Sequence, residues 1–383
     1  MVLRNVGRSI WPNWSISDLY RGQTGKVLES LCDPSICRYD RLLGWSGLPW
    51  LFWATENHSF GRCYREWLGW PRWLPIPVYG DHGVALDSIL EKNEIENPAK
   101  HYLVFYLERF NNLTKRRDKH FFQVPHPWIY HRRINNIFQN PDARGTIIFF
   151  PHSTRGSDIE FYDFDEYFDE LKQLSGSFKP LVICMHMMDV MKGYHHKISK
   201  HEIPIVTAGN TNSQYFVDRF YDLVRNFEYA TSNTGGSELF LCTELGVNYF
   251  IYGETPVYVN KSYDEAPLGI QTFLDELGAR SFKIKNDLFR AFPPTVNTEK
   301  REFTAEVLGL NVDQMAARRY LRDVFITETF RLFSFYCFQV FSDLLTNIYG
   351  DILRFCVTFR SNGLVAFLRK LKMKVSCSNR AAR

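Results

Sequence analysis

The chain has 383 residues, of which 45% are hydrophobic, and this is enough to bury the cores of two domains of ordinary size. Its net charge of +4 is far from that of a dedicated nucleic-acid-binding protein, so we expect no DNA or RNA partner. No stretch reaches the roughly 18 uninterrupted apolar residues of a membrane span, and the first residues lack the apolar core of a signal peptide.

The eight cysteines are scattered along the chain without a Cys-x-x-Cys pair, and several lie inside apolar runs. Such spacing favours reduced, buried thiols over a disulfide framework or a zinc site. We therefore predict a cytoplasmic protein.

The first half of the chain is predicted to form a small α/β sheet of its own. An apolar run from residue 48 breaks at Glu56, which resembles a strand that delivers an acid to a loop. Glycines on both sides of Asp81-His82 predict a sharp turn that exposes both side chains. Further strands are predicted at 99–107 and 121–124, followed by a helix over 128–138.

Three apolar runs in the second half, 145–150, 180–185 and 203–208, each lead into polar residues, and helical patterns at 165–174 and 213–227 follow the first and the third of them. This alternation predicts a doubly wound parallel sheet, in which ligands bind outside the carboxyl ends of the strands. The polar residues that we expect at this edge are His152, Ser153, Thr154, His186, Asp189 and Asn210.

A fourth polar loop, Thr231 to Ser237, opens a predicted helix over 238–245, and a strand over 247–252 follows. Unpaired amides at a helix start and the helix dipole together favour an anion, so the loop predicts a phosphate site. An N-capped helix with a flexible loop explains the same residues equally well. The expected ligand residues are Ser232, Asn233, Thr234, Gly235, Gly236 and Ser237, with Glu238 on the ribose hydroxyls.

The order strand–His-Ser-Thr, strand–His-x-x-Asp, then Thr-Ser-Asn-x-Gly-Gly-Ser-Glu and Gly-Val-x-x-Phe-Ile-Tyr-Gly resembles the nucleotide-sugar half of GT-B glycosyltransferases. Among these the likeness is to bacterial Kdo and sialic acid transferases of capsule and lipopolysaccharide assembly, whose His-Pro pair is similar to His126-Pro127 here. The resemblance covers roughly residues 120–260. Epimerases that act on UDP-sugars share the architecture, so the resemblance bears on the fold more than on the reaction.

This resemblance implies an α/β fold with two Rossmann-like doubly wound domains and C-terminal helices. We place an acceptor-side domain at 1–139, a nucleotide-sugar domain at 140–292 and a helical segment at 293–383. It further implies a CMP- or UDP-sugar as donor substrate, a glycan or lipid-linked acceptor and no cofactor. His126 would then hydrogen-bond the leaving phosphate, although a role as cap of the following helix explains it equally well.

Sugar transfer needs a group that takes the proton of the acceptor hydroxyl. The candidates are Glu56 and Asp81, with Asp158 or Asp189 if neither serves. No His-x-x-x-His or Asp-x-Asp pattern occurs, so we expect no catalytic metal. The alternatives to a transferase are a UDP-sugar epimerase or hydrolase and a non-catalytic polysaccharide-assembly protein.

The segment 364–375 combines Leu364, Phe367, Leu368 and Leu371 with four basic residues, a pattern that suits an amphipathic helix. We predict that it lies on an anionic membrane as an interfacial helix, at the inner face of the cytoplasmic membrane, because each basic residue contributes on the order of 1 kcal/mol there. A helix packed on the protein is the alternative. Flotation with anionic liposomes should fall with added salt and disappear when residues 364–383 are deleted. Equal flotation of both proteins, or of neither, contradicts the membrane role.

Overall fold

The computed structural model describes residues 53–72, 74–90, 92–152, 157–160, 164–255, 257–260 and 280–333. It is a mixed α/β fold with parallel sheets, as predicted. The described residues up to 326 belong to one compact unit, and 327–333 belong to a second. The domain boundaries proposed from the sequence stay predictions, and the tail segment 364–375 lies outside the described residues.

The first half contains a three-stranded parallel sheet in the order β1-β2-β3, which confirms the small sheet expected there. Its strands are β1 (Tyr79–Gly80), β2 (His101–Val104) and β3 (His120–Gln123). The helices around it are α1 (Trp53–Glu56), α2 (Phe60–Leu68), α3 (Lys92–Glu96), α4 (Leu107–Leu113) and α5 (Pro127–Ile134).

The strand predicted before Glu56 is wrong over its described residues, because residues 53–56 form helix α1. A short 3-10 helix, Asn57–Ser59, continues it. A run of apolar residues fits a buried helix as well as a buried strand, and periodicity does not separate the two at this length.

The second half contains a five-stranded parallel sheet in the order β7-β6-β4-β8-β9. Its strands are β4 (Thr146–Phe149), β6 (Leu181–Cys184), β7 (Ile205–Val206), β8 (Tyr229–Ser232) and β9 (Asn248–Ile251). The helices between them are α6 (Phe164–Lys172), α7 (Met187–Met191), α8 (Tyr194–Ile198), α9 (Phe216–Val224) and α10 (Ser237–Leu245). In chain order the strands are arranged 3-2-1-4-5, which is the doubly wound arrangement predicted for this half.

The remaining described elements lie beside or after the large sheet. Strand β5 (Ser157–Glu160) pairs antiparallel with β10 (Val257–Asn260). Helices α11 (Arg280–Phe289) and α12 (Thr298–Val307) follow, and a further helix, α13, occupies 314–333. No helix within the described ranges is long and apolar enough to cross a membrane.

A buried charge network joins the helices of the two halves. The side chain of His131 in α5 is fully buried, with Nδ1 2.9 Å from Glu66 Oε2 and Nε2 3.2 Å from Asp218 Oδ1. Arg62 pairs with both carboxylates as well. Burial acts to lower the pKa of His131, but its hydrogen bonds to Asp218 and Glu66 outweigh burial and raise the pKa above the usual value. The imidazolium form therefore stabilises the contact between α2, α5 and α9.

This network makes part of the stability depend on pH. Because the pKa of His131 is raised on folding, its contribution is complete below the unfolded pKa of about 6.5 and is lost as the pH rises through the folded pKa. Glu66 and Asp218 have lowered pKa values and stay ionised over this range. We expect the difference in free energy of unfolding between wild type and His131→Gln, from urea denaturation, to be larger at pH 6 than at pH 9. An equal difference at both pH values contradicts this role.

Candidate functional site

The direction of the strand order reverses between β4 and β8, which are neighbours at the centre of the large sheet. Open α/β sheets bind ligands in the crevice outside the strand ends at such a point. The residues that leave β4 and β8 there are Pro151-His152 and Asn233–Gly236. The sheet thus brings together two of the four loops that the sequence analysis selected.

The loop between β8 and α10 is held by side chains at its base. Ser232 Oγ accepts the amides of Gly235 at 2.7 Å and Thr234 at 3.3 Å, and the hydroxyl of Tyr249 lies 2.7 Å from the same oxygen. Gly235 has φ +70, and a Cβ there would lie 2.5 Å from Leu239 Cδ1, so the position requires glycine. These bonds give the loop one fixed shape, but they occupy two amides that were expected to bind phosphate.

A carboxylate lies at the start of helix α10. Glu238 Oε1 accepts the amide of Gly236 at 2.7 Å and lies 3.1 Å from the hydroxyl of Tyr249. This end of the helix favours negative charge, and Glu238 now supplies it. Its contact with ribose hydroxyls stays a prediction.

Lys285 of α11 holds the same loop from the other side. Its buried ammonium group donates to the carbonyls of Thr234 at 3.0 Å and Gly235 at 3.1 Å. The two carbonyls face Lys285, and the amide that follows each of them is directed the other way, because the C=O and N–H of a trans peptide are antiparallel. The ammonium also places a positive charge directly beneath the predicted phosphate loop.

The first half of the chain contacts the start of α10. The amide of Val84 donates to Ser237 Oγ at 2.9 Å. Gly83 is so close to that oxygen that a Cβ would lie 3.0 Å from it. The turn after β1 therefore meets the start of α10 beside the loop after β8, and we call the region around this contact at the switch point the switch-point cleft.

Five of the chain's 11 histidines converge on this cleft, and we call them the histidine cluster: His58, His82, His126, His152 and His186. The rings of His152 and His186 are stacked with their centroids 4.4 Å apart. His186 caps α7, because its Nδ1 accepts the amide of Met188 at 3.2 Å. Burial, then the nearby His152 and His58, lower the pKa of His186 well below its usual value, so the ring is neutral at pH 7.

His58 comes from the first half and faces the others. Burial, then His82 and His152, lower its pKa to about 3. Its Nδ1 is buried and has no hydrogen-bond partner among the described residues. A neutral imidazole nitrogen that is buried beside the cleft without a hydrogen-bond partner is a candidate for proton transfer.

The backbone at His58 is unusual, since His58 (φ 52) and Ser59 (φ 62) are consecutive non-glycine residues in the left-handed region. The His58 amide donates to the carbonyl of Thr211 at 2.7 Å, and its carbonyl accepts Trp128 Nε1 at 2.6 Å. Ser59 Oγ donates to the carbonyl of Ser213 at 2.8 Å and accepts the amide of Val217. Strain of this kind persists only where the surroundings fix it, and it concentrates at functional sites.

His126 is buried against the rings of Phe60 and Phe105, at centroid distances of 5.0 and 4.8 Å. Its Nδ1 accepts the amide of Trp128 at 3.4 Å, so it caps α5, the alternative that the sequence also allowed. Burial and then His58 lower its pKa to about 3. A hydrogen bond from His126 to a leaving phosphate stays a prediction, and its burial does not favour one.

Glu56 lies in an environment that does not favour a role as base. Its carboxylate makes a two-point ion pair with Arg65, at 2.5 and 2.8 Å, and also accepts the amide of Ile76. The pair covers Gly61, where a Cβ would lie 1.8 Å from Glu56 Oε2. Three donors on one buried carboxylate indicate a structural anchor for the segment around residues 74–76.

Asp81 is also buried rather than exposed at the turn where it was expected. Its oxygens accept Tyr102 Oη and Arg109 Nε, each at 3.1 Å, and the amide of Phe105 at 3.4 Å. Burial raises its pKa to about 6, against the opposing effect of Arg109. This carboxylate ties β1 to β2 and α4 of the small sheet.

The other residues predicted for the site lie either at the edge of the large sheet or in the core. Asn210 is buried and its Oδ1 accepts the amide of Asn212 at 2.8 Å, so its side chain holds the turn after β7. Asp189 is fully buried in α7. Asn233 is buried at the cleft, and within the described part of the chain its Oδ1 has no hydrogen-bond partner. Ser153 and Thr154 lie outside the described residues, and Asp158 lies in β5.

No group of three or more His, Cys, Asp or Glu side chains among the described residues is arranged to hold a metal ion. The three described cysteines, Cys63, Cys184 and Cys242, are free and buried. Chemistry without a metal stays a prediction.

Sequence reasoning missed His58 as a site residue and selected Glu56 two positions before it. The only local signal was the polar break after the apolar run, which both residues share. Lys285 was missed as well, because nothing in the surrounding sequence distinguishes it from the other lysines of a helix.

Comparisons with known proteins give little further information. No protein-family model matches the chain, and no curated protein matches its sequence. Among solved structures it is similar to one titled "Structure of the Wall Teichoic Acid Polymerase TagF", with 12% sequence identity and a TM-score of 0.35. That similarity covers 67% of this chain and 69% of the other. A similarity at this level does not assign a fold or an activity.

Proposed function

We propose that this chain is a glycosyltransferase that moves a sugar from a nucleotide-activated donor, a CMP- or UDP-sugar, to a glycan or lipid-linked acceptor of surface-polysaccharide assembly. The observation that carries the proposal is the switch-point cleft, where the β8–α10 loop meets the histidine cluster and burial lowers the pKa values of His58, His126 and His186. The β8–α10 loop suits the binding of a nucleotide phosphate, and the histidine cluster suits proton transfer.

In this proposal the donor phosphate binds at the start of α10, where the helix dipole and the ammonium of Lys285 both favour an anion. Glu238 now accepts the amide of Gly236 and holds the position that the phosphate would take. On donor binding its carboxylate moves aside and becomes available to the ribose hydroxyls. The buried Oδ1 of Asn233 gains a partner if it accepts a hydroxyl or an amino group of the nucleoside.

The reaction needs a base that accepts one proton. The acceptor oxygen attacks the anomeric carbon, the bond between that carbon and the phosphate oxygen breaks, and the nucleotide leaves with the bonding electrons. We assign His58 to take the proton of the acceptor hydroxyl. His152 and His186, whose rings lie together at the end of β4 and β6, would donate hydrogen bonds to the leaving phosphate.

The low pKa of His58 fits this order of events. Burial and its neighbours make it a poor base while the cleft holds no anion. A phosphate within a few ångströms favours the imidazolium and raises the pKa toward the working pH. His58 therefore gains proton affinity when the donor is in place, so the acceptor is activated only in the presence of the sugar that it will receive.

The first prediction for this site concerns the loop. A Cβ at Gly236 would lie 2.6 Å from Glu238 Oε2, which is the end of a flexible side chain, and the backbone there has φ −96, which any residue adopts. Gly236→Val should therefore fold but fill the phosphate position. We expect the rise in melting temperature caused by the cognate nucleotide, from a CMP, UDP and GDP panel, to be lost.

Gly176→Val is the matched control, since a Cβ at Gly176 meets nothing within 4 Å. It should keep the nucleotide-dependent rise. A folded Gly236→Val protein that binds nucleotide as tightly as wild type removes the loop from the site.

The second prediction separates binding from chemistry. His58→Asn keeps a residue that tolerates the left-handed backbone but removes the imidazole. We expect turnover to fall by about two to four orders of magnitude, the usual contribution of a general base, with nucleotide affinity retained. His196→Gln, an exposed histidine of α8, is the control and should turn over normally.

The assay measures nucleotide release from a panel of nucleotide-sugars with and without acceptor glycans. Release that depends on acceptor supports a transferase, whereas equal release without acceptor supports a hydrolase. Normal turnover of His58→Asn excludes His58 as the base. The candidate bases are then the carboxylates again.

A further inference from the structure

A second cavity lies at the opposite end of the small sheet from the switch-point cleft. It has a volume of about 370 Å³ and is formed by the turn between α4 and β3 and by the start of β3. Four of the residues that line it carry basic side chains, Arg116, Arg117, Lys119 and His120. None of them belongs to the site described above.

The charge of this segment is strongly positive. Residues 115–119 contain four cations and a single carboxylate, Asp118, which Arg116 holds at 2.8 Å. Lys115 reaches back to Asn112 Oδ1 at the end of α4, where a helix favours a cation in any case. The side chains of Arg116 and Arg117 are exposed at the cavity, and Lys119 is held beside them by the carbonyls of Asn97 and Ala99. An anionic ligand would neutralise this excess charge.

A row of aromatic rings leads away from the cavity. The ring of His101 lies between those of His120 and Phe122, with centroids 5.2 and 5.6 Å away, and Phe122 lies 4.4 Å from Tyr320. His120 is exposed and Tyr320 is 44% exposed, so part of the row is open to solvent. Aromatic faces of this kind stack on the apolar C–H faces of sugar rings.

The row also has a direction. His120 and Phe122 lie two positions apart on β3, and beyond the end of this strand at Gln123 the chain runs through Val124 to His126 of the histidine cluster. At about 3.3 Å per residue, β3 covers roughly 13 Å between the cavity and the edge of the sheet at the cleft. A chain of several sugars could therefore touch the cavity while its end reaches the cleft.

We infer that the basic cavity and the aromatic row form a binding site for an acidic glycan, a carbohydrate that carries carboxylate or phosphate groups, and that this glycan is the growing acceptor. The inference rests on the proposed function and deepens it. The arginines contact the acidic groups, the exposed rings of His120 and Tyr320 stack on the sugars, and the acceptor end is directed to His58.

The test measures binding in the absence of donor, so that it does not depend on turnover. Fluorescence anisotropy with labelled oligogalacturonate and a labelled phosphomannan oligosaccharide gives the affinity of the full-length protein, with maltoheptaose as the uncharged probe. The double variant Arg116→Gln with Arg117→Gln removes two charges, and it breaks only an exposed ion pair, so we expect it to fold. The matched control, Lys179→Gln with Arg301→Gln, removes two exposed charges elsewhere.

We expect the cavity variant to bind the better acidic probe about tenfold or more weakly, and the control variant to bind it as wild type does. Tyr320→Ala should also weaken binding, and added salt should weaken it in the wild type. Equal affinity of the two double variants overturns the inference. So does the failure of wild type to bind either acidic probe.

Vesicles that contain phosphatidylserine provide the remaining comparison. If the cavity variant loses vesicle binding but keeps the acidic glycans, the basic surface faces a membrane and the inference is wrong. A protein that transfers sugar normally, yet shows no difference between the double variants, keeps the proposed function and loses this site. A protein that binds acidic glycans through the cavity but transfers no sugar keeps this binding site and loses the proposed function.

Discussion

The left-handed corner at His58 and Ser59 is the constraint on which the site depends. Each non-glycine residue in this conformation costs on the order of 1–3 kcal/mol, and two occur in succession. The cost is offset by hydrogen bonds to Thr211, Ser213 and Trp128, all from outside the local segment. The corner can therefore exist only when the small sheet and the large sheet are already together. These hydrogen bonds, which join the two halves of the chain, also direct the His58 side chain toward the cleft.

The electrostatics of the cleft follow from burial. A protein that binds a phosphate could surround it with arginines, but here the side chains around the cleft are imidazoles, and burial and neighbouring histidines lower the pKa values of His58, His126 and His186. Neutral imidazoles can donate a hydrogen bond or accept a proton, and guanidinium groups cannot accept one. The positive charge comes from behind the loop through Lys285 and from the dipole of α10. In the proposed function, this separation leaves the side of the cleft that holds the histidines free for proton transfer.

The part of the fold that the sequence predicts well is the part governed by local pattern. The apolar runs at 145–150, 180–185 and 203–208 became β4, β6 and β7, and the polar loops after them lie at the predicted edge. Helix α10 begins where the Ser/Thr/Gly loop ends and stops at Gly246, whose φ of +106 ends the helix. The parallel order then places the loops after β4 and β8 side by side, as the alternation of strands and helices requires.

The part that the sequence did not predict depends on partners far along the chain. Glu56 and Asp81 looked like exposed acids, but Arg65 and Arg109 bury them in ion pairs that only the folded small sheet brings together. The polar break that His58 shares with Glu56 does not single it out, because its conformation is fixed by a carbonyl more than 150 residues away, that of Thr211. The predicted phosphate loop was found in the right place, yet Ser232 and Glu238 occupy its amides, which a pattern of residue types does not reveal.

Hydrogen–deuterium exchange with and without nucleotide tests most directly the claim that a nucleotide-activated sugar binds at the switch point. With saturating cognate nucleotide the account predicts slower exchange at residues 232–238 and 186–191, and unchanged exchange in α8, which lies outside the cleft. Protection confined to other segments would contradict it, and so would no protection by CMP, UDP, GDP or their sugars.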